Sequence, residues 1–315
     1  MLHLGQTQAE PTDRSSNMAE TAVAGPDAGM SLAQLAATHG LSVSGARPPV
    51  RVYVKRLWAY RYFIHAFAQG RLMVAFANTQ LGRLWQVLTP ITNAAVYFFI
   101  FGVILNTRHG VANFIAYLCT GVFIFNFTSV VFNQSVKAIS SYLGLVRALH
   151  FPRASLPLSL TFIEMQNMLV TMGVLFVIVI ATGETPSAKW FLIVPMLVLQ
   201  TLFNAGAGLA LARFGEKVLD FKQLLPFIMR TWMYMSGVMY SAKAFENHLP
   251  HWAARVMELN PMLTFVELGR YALIEKPQLT ASPTHLWLIA LGWSVVATIF
   301  GFLYFWRGEQ EYGRG

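Results

Sequence analysis

The chain has 315 residues, 55% of them hydrophobic and only 12% charged, where soluble domains carry about 25% charged residues. This excludes an ordinary soluble protein and points to a membrane one. The net charge is +9, and the one cysteine, Cys119, lies inside an apolar run, so an intrachain disulfide and a Cys-rich metal site are excluded.

Residues 1–46 are rich in Ala, Gly, Ser and Thr, with no apolar run, and read as a disordered cytoplasmic tail. No charged segment followed by an apolar core opens the chain, so no signal peptide is expected, and Met18 offers a second possible start. Residues 47–83 are basic and aromatic, with Tyr53, Trp58, Tyr60, Tyr62, Phe63 and Phe67 set among arginines. That pattern predicts an amphipathic helix lying in the membrane interface, cations toward the headgroups. A plain polar flank of the first span would read the same way.

Apolar runs of about 20 residues, the length that crosses a bilayer, predict six spans at 84–105, 114–132, 156–180, 190–212, 221–240 and 286–306. Counted by side, Lys and Arg fall fifteen against six in favour of the side that holds both termini. The positive-inside bias then puts both termini in the cytoplasm of a plasma-membrane protein. The fourth span carries Ala205-Gly206-Ala207-Gly208, small residues that allow another helix to approach closely.

Two connections are longer than turns require. Between the second and third spans, about 136–152, Ile139, Tyr142, Leu143, Val146 and Leu149 recur at helical spacing beside Lys137, Arg147, His150 and Arg153. This predicts a short cytoplasmic amphipathic helix stopped at Phe151-Pro152. The connection 241–283 predicts two helices too short to span. Trp252, Val256 and Leu259 line one face of the first; Asn260 caps the second, with Pro261 at its first position. Such a pair is a re-entrant hairpin on the outer face, or a simple lid there.

Some chemistry is missing. There is no G-x-x-x-x-G-K-[ST], G-x-S-x-G or H-E-x-x-H, and no Asp-rich cluster. The chain has no nucleotide site of its own and is not expected to be an enzyme. Glu246, His248 and His251 are close in sequence but lack a fourth ligand for a metal. Between Asp27 and Glu164 there is no acidic residue, while eleven Lys and Arg fall in that interval. Because those charges flank apolar spans, anionic headgroups are their expected partners rather than nucleic acid.

Several stretches together resemble a known family. VKAISSYLGLVRALHFPRASLPL (136–158) is similar to the cytoplasmic coupling segment of permease subunits of type-2 ABC exporters, polysaccharide branch, which export O-antigen, teichoic acid or lipid-linked galactan. NTQLGRLWQVLTP (78–90) resembles the start of that family's first span and MSGVMYS (235–241) the end of its fifth. Asn260-Pro261 resembles its extracytoplasmic gate, where Trp252, Glu267 and Arg270 are also expected. The resemblance implies an all-α integral membrane protein of six spans. It would work as a homodimer with two copies of a separate ATPase that binds ATP and Mg; this chain holds no cofactor. The implied cargo is a polyprenyl-pyrophosphate-linked polysaccharide, with galactan favoured by the overall wording of the chain. A membrane glycosyl- or acyltransferase, and an exporter of a smaller lipid or drug, remain open alternatives.

Three site expectations follow. Ile139, Tyr142, Leu143, Val146, Arg147 and His150 would dock on the ATPase. Arg83, beside Gly82 and Trp85, would bind the pyrophosphate at a substrate entrance, with Arg61 and Arg71 as weaker candidates, because Arg offers phosphate oxygens paired donors. Glu164 and Arg230 stand at similar depth in the third and fifth spans, and a buried pair is expected of them.

Overall fold

The computed structural model describes residues 38, 48–77, 81–100, 113–149, 151–241 and 257–312. The chain divides into two units, 1–46 and 47–315. Of the first, only Thr38, helical, is among the described residues.

Every regular element among the described residues is a helix or helical turn. An apolar chain in lipid has this option open to it because each helix pairs its own backbone groups. In order they are α1 (Val50–Ala59), α2 (Arg61–Ala77), α3 (Trp85–Tyr97), α4 (Phe114–Ser135), α5 (Leu143–Ala148), α6 (Ser155–Ala181), α7 (Ile193–Lys217), α8 (Phe221–Met235), α9 (Pro261–Leu273) and α10 (Pro283–Arg307). Four helical segments are long and apolar enough to cross a membrane: α4, α6, α10, and α7 with the turn before it, Ala188–Lys217.

Of the other two expected spans, the first is described only in part and the fifth comes out shorter. α3 has 13 residues and opens into a π turn at 98–100; the rest of the predicted span, 101–105, lies outside the described residues. α8 has 15 residues, roughly 22 Å at 1.5 Å per residue, and stops at Met235 instead of reaching residue 240. Gly237 there adopts φ +59°, a left-handed conformation that glycine takes at little cost.

The predicted interface helix is two helices. Tyr60 separates α1 from α2. Tyr53 of α1 is buried, and α2 turns Phe63, Phe67 and Ala68 inward against Phe151 and Tyr142. The exposed side carries Trp58, Tyr62, Met73 and Val74, an apolar and aromatic surface suited to lipid.

The helix predicted around 139–149 is also broken. Ser140–Tyr142 forms a single 3-10 turn, and α5 has only six residues. Glycine at position 144, near the start of α5, is a weak helix former.

The small residues of α7 act within the chain. A β-carbon on Gly206 would collide with the Ala297 carbonyl, and one on Gly301 with the Gly206 carbonyl. Across this α7–α10 seam, Ser294 donates to Leu199 O at 2.8 Å and Thr298 to Leu202 O at 3.1 Å. Gly215 gives the same closeness to Val136, where α4 ends.

Candidate functional site

A recess of about 220 Å³ opens between α3, α4 and α6. Its lining follows helical spacing on each side. α3 supplies Trp85, Gln86, Thr89, Pro90 and Asn93; α4 supplies Phe123 and Asn126; α6 supplies Glu164, Asn167 and Thr171. Residues three, four and seven apart share a helix face, so α3 and α6 each present a polar stripe to one hollow, and α4 adds Asn126.

Hydrogen bonds tie the deeper part together. Gln134 donates to Glu164 Oε1 at 2.7 Å, and Asn167 Nδ2 donates to Glu164 Oε2 at 3.2 Å. Gln86 in turn donates to Asn167 Oδ1 at 3.0 Å. A carboxylate has about four acceptor positions, so Glu164 keeps acceptor capacity toward the hollow. At the rim, Asn93 and Asn126 are exposed. Asn126 is the one exposed residue of α4. An amide facing hydrocarbon without a partner is costly, so this face is built to meet something polar.

The expected pair of Glu164 and Arg230 is not formed. Arg230 is exposed on α8, and the partners of Glu164 are the two amides. Depth along a helix sets one coordinate only; the rotation of α8 turns Leu225 and Met229 inward and Arg230 outward.

The entrance residues are not gathered into one cluster. Arg61 donates to Trp58 O and Tyr62 Oη and lies 4.3 Å from the Tyr62 ring centroid. Arg71, ten residues further along α2, lies 5.4 Å from the Tyr142 ring. Gly82 adopts φ +50° in the turn Gly82–Leu84. The side chain of Arg83 lies outside the described ones. Trp85 is in place, but in the recess: its neighbour Gln86 meets Asn167, twelve residues into α6, or about 18 Å from the start of that helix.

Of the coupling residues, Ile139 and Val146 are buried against their own chain, and Tyr142 and Leu143 are half-buried. Ile139, Val146 and Tyr142 join a second apolar core with Tyr53, Ala68, Leu156, Phe305 and Tyr312. Ile139 and Val146 therefore face their own chain, a correction to the predicted stripe, while Tyr142 and Leu143 keep part of their surface. Lys137, Gly144, Arg147 and Leu149 are exposed in the same segment. His150 lies outside the described residues.

That end of the bundle is closed by a clasp the sequence did not announce. Glu309, just past α10, accepts from Tyr53 Oη at 2.8 Å and from the Arg153 backbone N–H at 3.0 Å. The Arg153 guanidinium donates to the Glu309 carbonyl, and Tyr53 Oη also accepts from Ala154 N. Burial pushes the Glu309 carboxyl above the usual range, against the opposing effect of those donors. Burial, with Glu309 alongside, also holds the Tyr53 hydroxyl well above its ordinary value. One turn away, Arg213 lies over the Tyr304 ring at 4.5 Å and reaches Glu311 at 3.8 Å.

The described gate residues are hydrogen-bonded into the bundle. Asn260 caps α9 by accepting from Met262 N, and it also accepts from Trp232 Nε1 and donates to Ser236 Oγ. Pro261 takes the first helical position. Arg270 is 0% exposed. It donates to the carbonyls of Tyr117, Gly237 and Val238 and stacks 3.3 Å from the Tyr117 ring. Glu267, equally buried, accepts from Thr280 N and Oγ1. Trp252 and the first predicted short helix lie mostly outside the described residues; only a helical turn at 257–258 remains of it.

Helices long and apolar enough to cross a membrane, with polar residues set among them, are those of a multi-pass membrane protein. The family model described as ABC-2 type transporter matches residues 62–274, and the chain belongs to that family. It is similar to the O-antigen export system permease protein RfbA of Klebsiella pneumoniae. The identity is 23% over 196 residues, covering 62% of this chain and 73% of that one. It is also similar to the protein of the same name from Myxococcus xanthus, 22% identical over 213 residues, covering 68% and 80%.

Three signals went unread in the sequence. Q-x-x-T-P-x-x-N in α3 and E-x-x-N-x-x-x-T in α6 are polar residues at helical spacing inside apolar runs. They would have marked the recess. Asn126 alone between Phe125 and Phe127 was the third.

Proposed function

We propose that this chain is the transmembrane subunit of an ATP-driven exporter that moves a lipid-linked polysaccharide outward across the plasma membrane. Two copies work with two copies of a separate ATPase, which supplies the nucleotide and Mg sites. The spans at 84–105 and 221–240 complete six, and both termini are cytoplasmic. The cargo is a polyprenyl-pyrophosphate-linked glycan, galactan being the favoured one. Arg83 holds the pyrophosphate as the cargo enters.

The observation that carries this reading is the recess. Amides, hydroxyls and one carboxylate face a hollow with an indole and a phenyl ring at its wall. Glycan hydroxyls need alternating donors and acceptors, and their ring faces stack on aromatic side chains. Family membership and the two export permeases it resembles support the same reading. A surface formed by Lys137, Gly144, Arg147 and Leu149 is the part of the coupling segment left for the ATPase.

The test is reconstitution of the chain with its ATPase in vesicles loaded with lipid-linked glycan. ATP should expose the glycan on the far face, and Arg83→Gln should lower substrate-stimulated hydrolysis, with lysine restoring only part of it. Glycan transfer by the isolated chain without ATP would instead establish the enzyme alternative.

A further inference from the structure

We infer that the recess is a sugar-binding subsite selective by charge: it accepts uncharged rings and rejects rings carrying carboxylate or phosphate. This rests on the exporter reading and adds the chemical class of glycan.

The argument starts from the lining. Among the described residues that form it, Glu164 is the one titratable group, and no Lys or Arg joins it. Its two donors, Gln134 and Asn167, are neutral. Among the described residues the carboxylate is thus held in place without a cation against it. An incoming anion would face that charge in a site walled by apolar helices, where like charges repel far more strongly than in water. A neutral hydroxyl would instead donate to the acceptor positions that Gln134 and Asn167 leave unused.

The rim matches this. Among the described residues, the side chains of Asn93 and Asn126 make no hydrogen bond, and both residues are exposed. Each offers one acceptor and two donors, the complement of a vicinal diol. Trp85 and Phe123 supply flat apolar faces for the C–H side of a ring. The hollow has a volume of about 220 Å³. That is room for a single ring rather than a length of chain, so selection operates on one sugar at a time. The pyrophosphate of the carrier is excluded for the same reason as an anionic sugar.

The test uses the full chain with its ATPase in vesicles and two lipid-linked glycans of equal length, one of neutral hexoses and one containing uronic acid. The wild type should export the neutral glycan roughly tenfold faster or more, the scale set by juxtaposed like charges. Glu164→Gln should bring the two rates within a few-fold of each other. Asn126→Asp, at an exposed position that disturbs no packing, should widen the gap further. Equal rates in the wild type, or a ratio unmoved in both variants while export continues, would overturn the inference. A further overturning result is a disulfide between two copies in Asn126→Cys with Cys119→Ser, which would make the recess a subunit contact. If the wild type moves neither glycan with ATP, the exporter reading fails and this inference falls with it. Failure of selectivity alone leaves export standing.

Discussion

Glu164 and Glu309 are both carboxylates withdrawn from solvent, and each accepts two hydrogen bonds from the protein. The donors differ in kind. At Glu309 they are a backbone N–H and a buried phenol, from segments 156 and 256 residues away. The backbone donor cannot turn to another partner without moving the chain, and the phenol is also held by Ala154 N–H. At Glu164 they are two side-chain amides, one of them only three residues along the same helix. Rotatable amides can turn toward a ligand at little cost, whereas a fixed backbone donor cannot. The Glu309 end is therefore a fastening, and the Glu164 recess is a surface prepared for exchange of partners.

The largest effect is expected from removing the fastening. Glu309→Ala leaves the Tyr53 hydroxyl and the Arg153 N–H without their acceptor. Unmade buried bonds cost about 1–3 kcal/mol each, so a loss of about 3 kcal/mol should appear as a lower unfolding temperature in detergent. A shift too small to resolve would mean that the clasp does not hold this end together.

Tyr53→Phe comes next. It deletes one hydroxyl that bonds both Glu309 and the Ala154 N–H while keeping the ring against Phe302. A loss of about 1–2 kcal/mol is expected. A loss as large as that of Glu309→Ala would show that the phenol, not the backbone donor, dominates.

Glu164→Gln should barely move stability, by less than about 1 kcal/mol, because the amides around it can reorient. The contrast with Glu309 fails if this variant unfolds as easily as Glu309→Ala. Its effect belongs in glycan selectivity.

The smallest effect is on pH dependence. Burial raises the folded-state pKa of Glu309 above its unfolded value, so the folded chain holds that proton more tightly. Its contribution to stability is full below the unfolded value of about 4.3 and is lost as pH rises through the raised folded value. Glu309→Gln does not titrate. The stability difference, wild type minus variant, should fall with rising pH over that window and then level. A difference that rises there would show that the hydrogen bonds outweigh burial.

The coupling segment shows how far local pattern reaches. Its stripe of Ile139, Tyr142, Leu143 and Val146 was legible as apolar spacing, and the segment does hold a turn of helix. The spacing could not say what the stripe packs against. Tyr53 and Tyr312, from the two ends of the chain, reach the same core, and Ile139 and Val146 go to it rather than to the surface. Glu164 and Arg230 fail for a related reason: similar depth is readable from residue counts, but which way each side chain points depends on how its helix is rotated by its neighbours. The polar stripes of α3 and α6 were readable in principle, since helical spacing alone puts their residues on one face.

By itself the sequence determined the all-helical membrane class, the strongly apolar spans, the Asn260-Pro261 start of α9 and the tight packing promised by Gly206. Each of these depends on composition, on neighbours within a few residues, or on the absence of a side chain. Only the tertiary structure decided that the polar stripes of α3 and α6 face one hollow with Asn126 of α4, that Arg270 is spent on backbone carbonyls of α4 and the 237–238 turn, and that residues 53, 153 and 309 meet. Those are contacts between segments far apart in the chain, and helix rotation and crossing, which no local spacing encodes, select them.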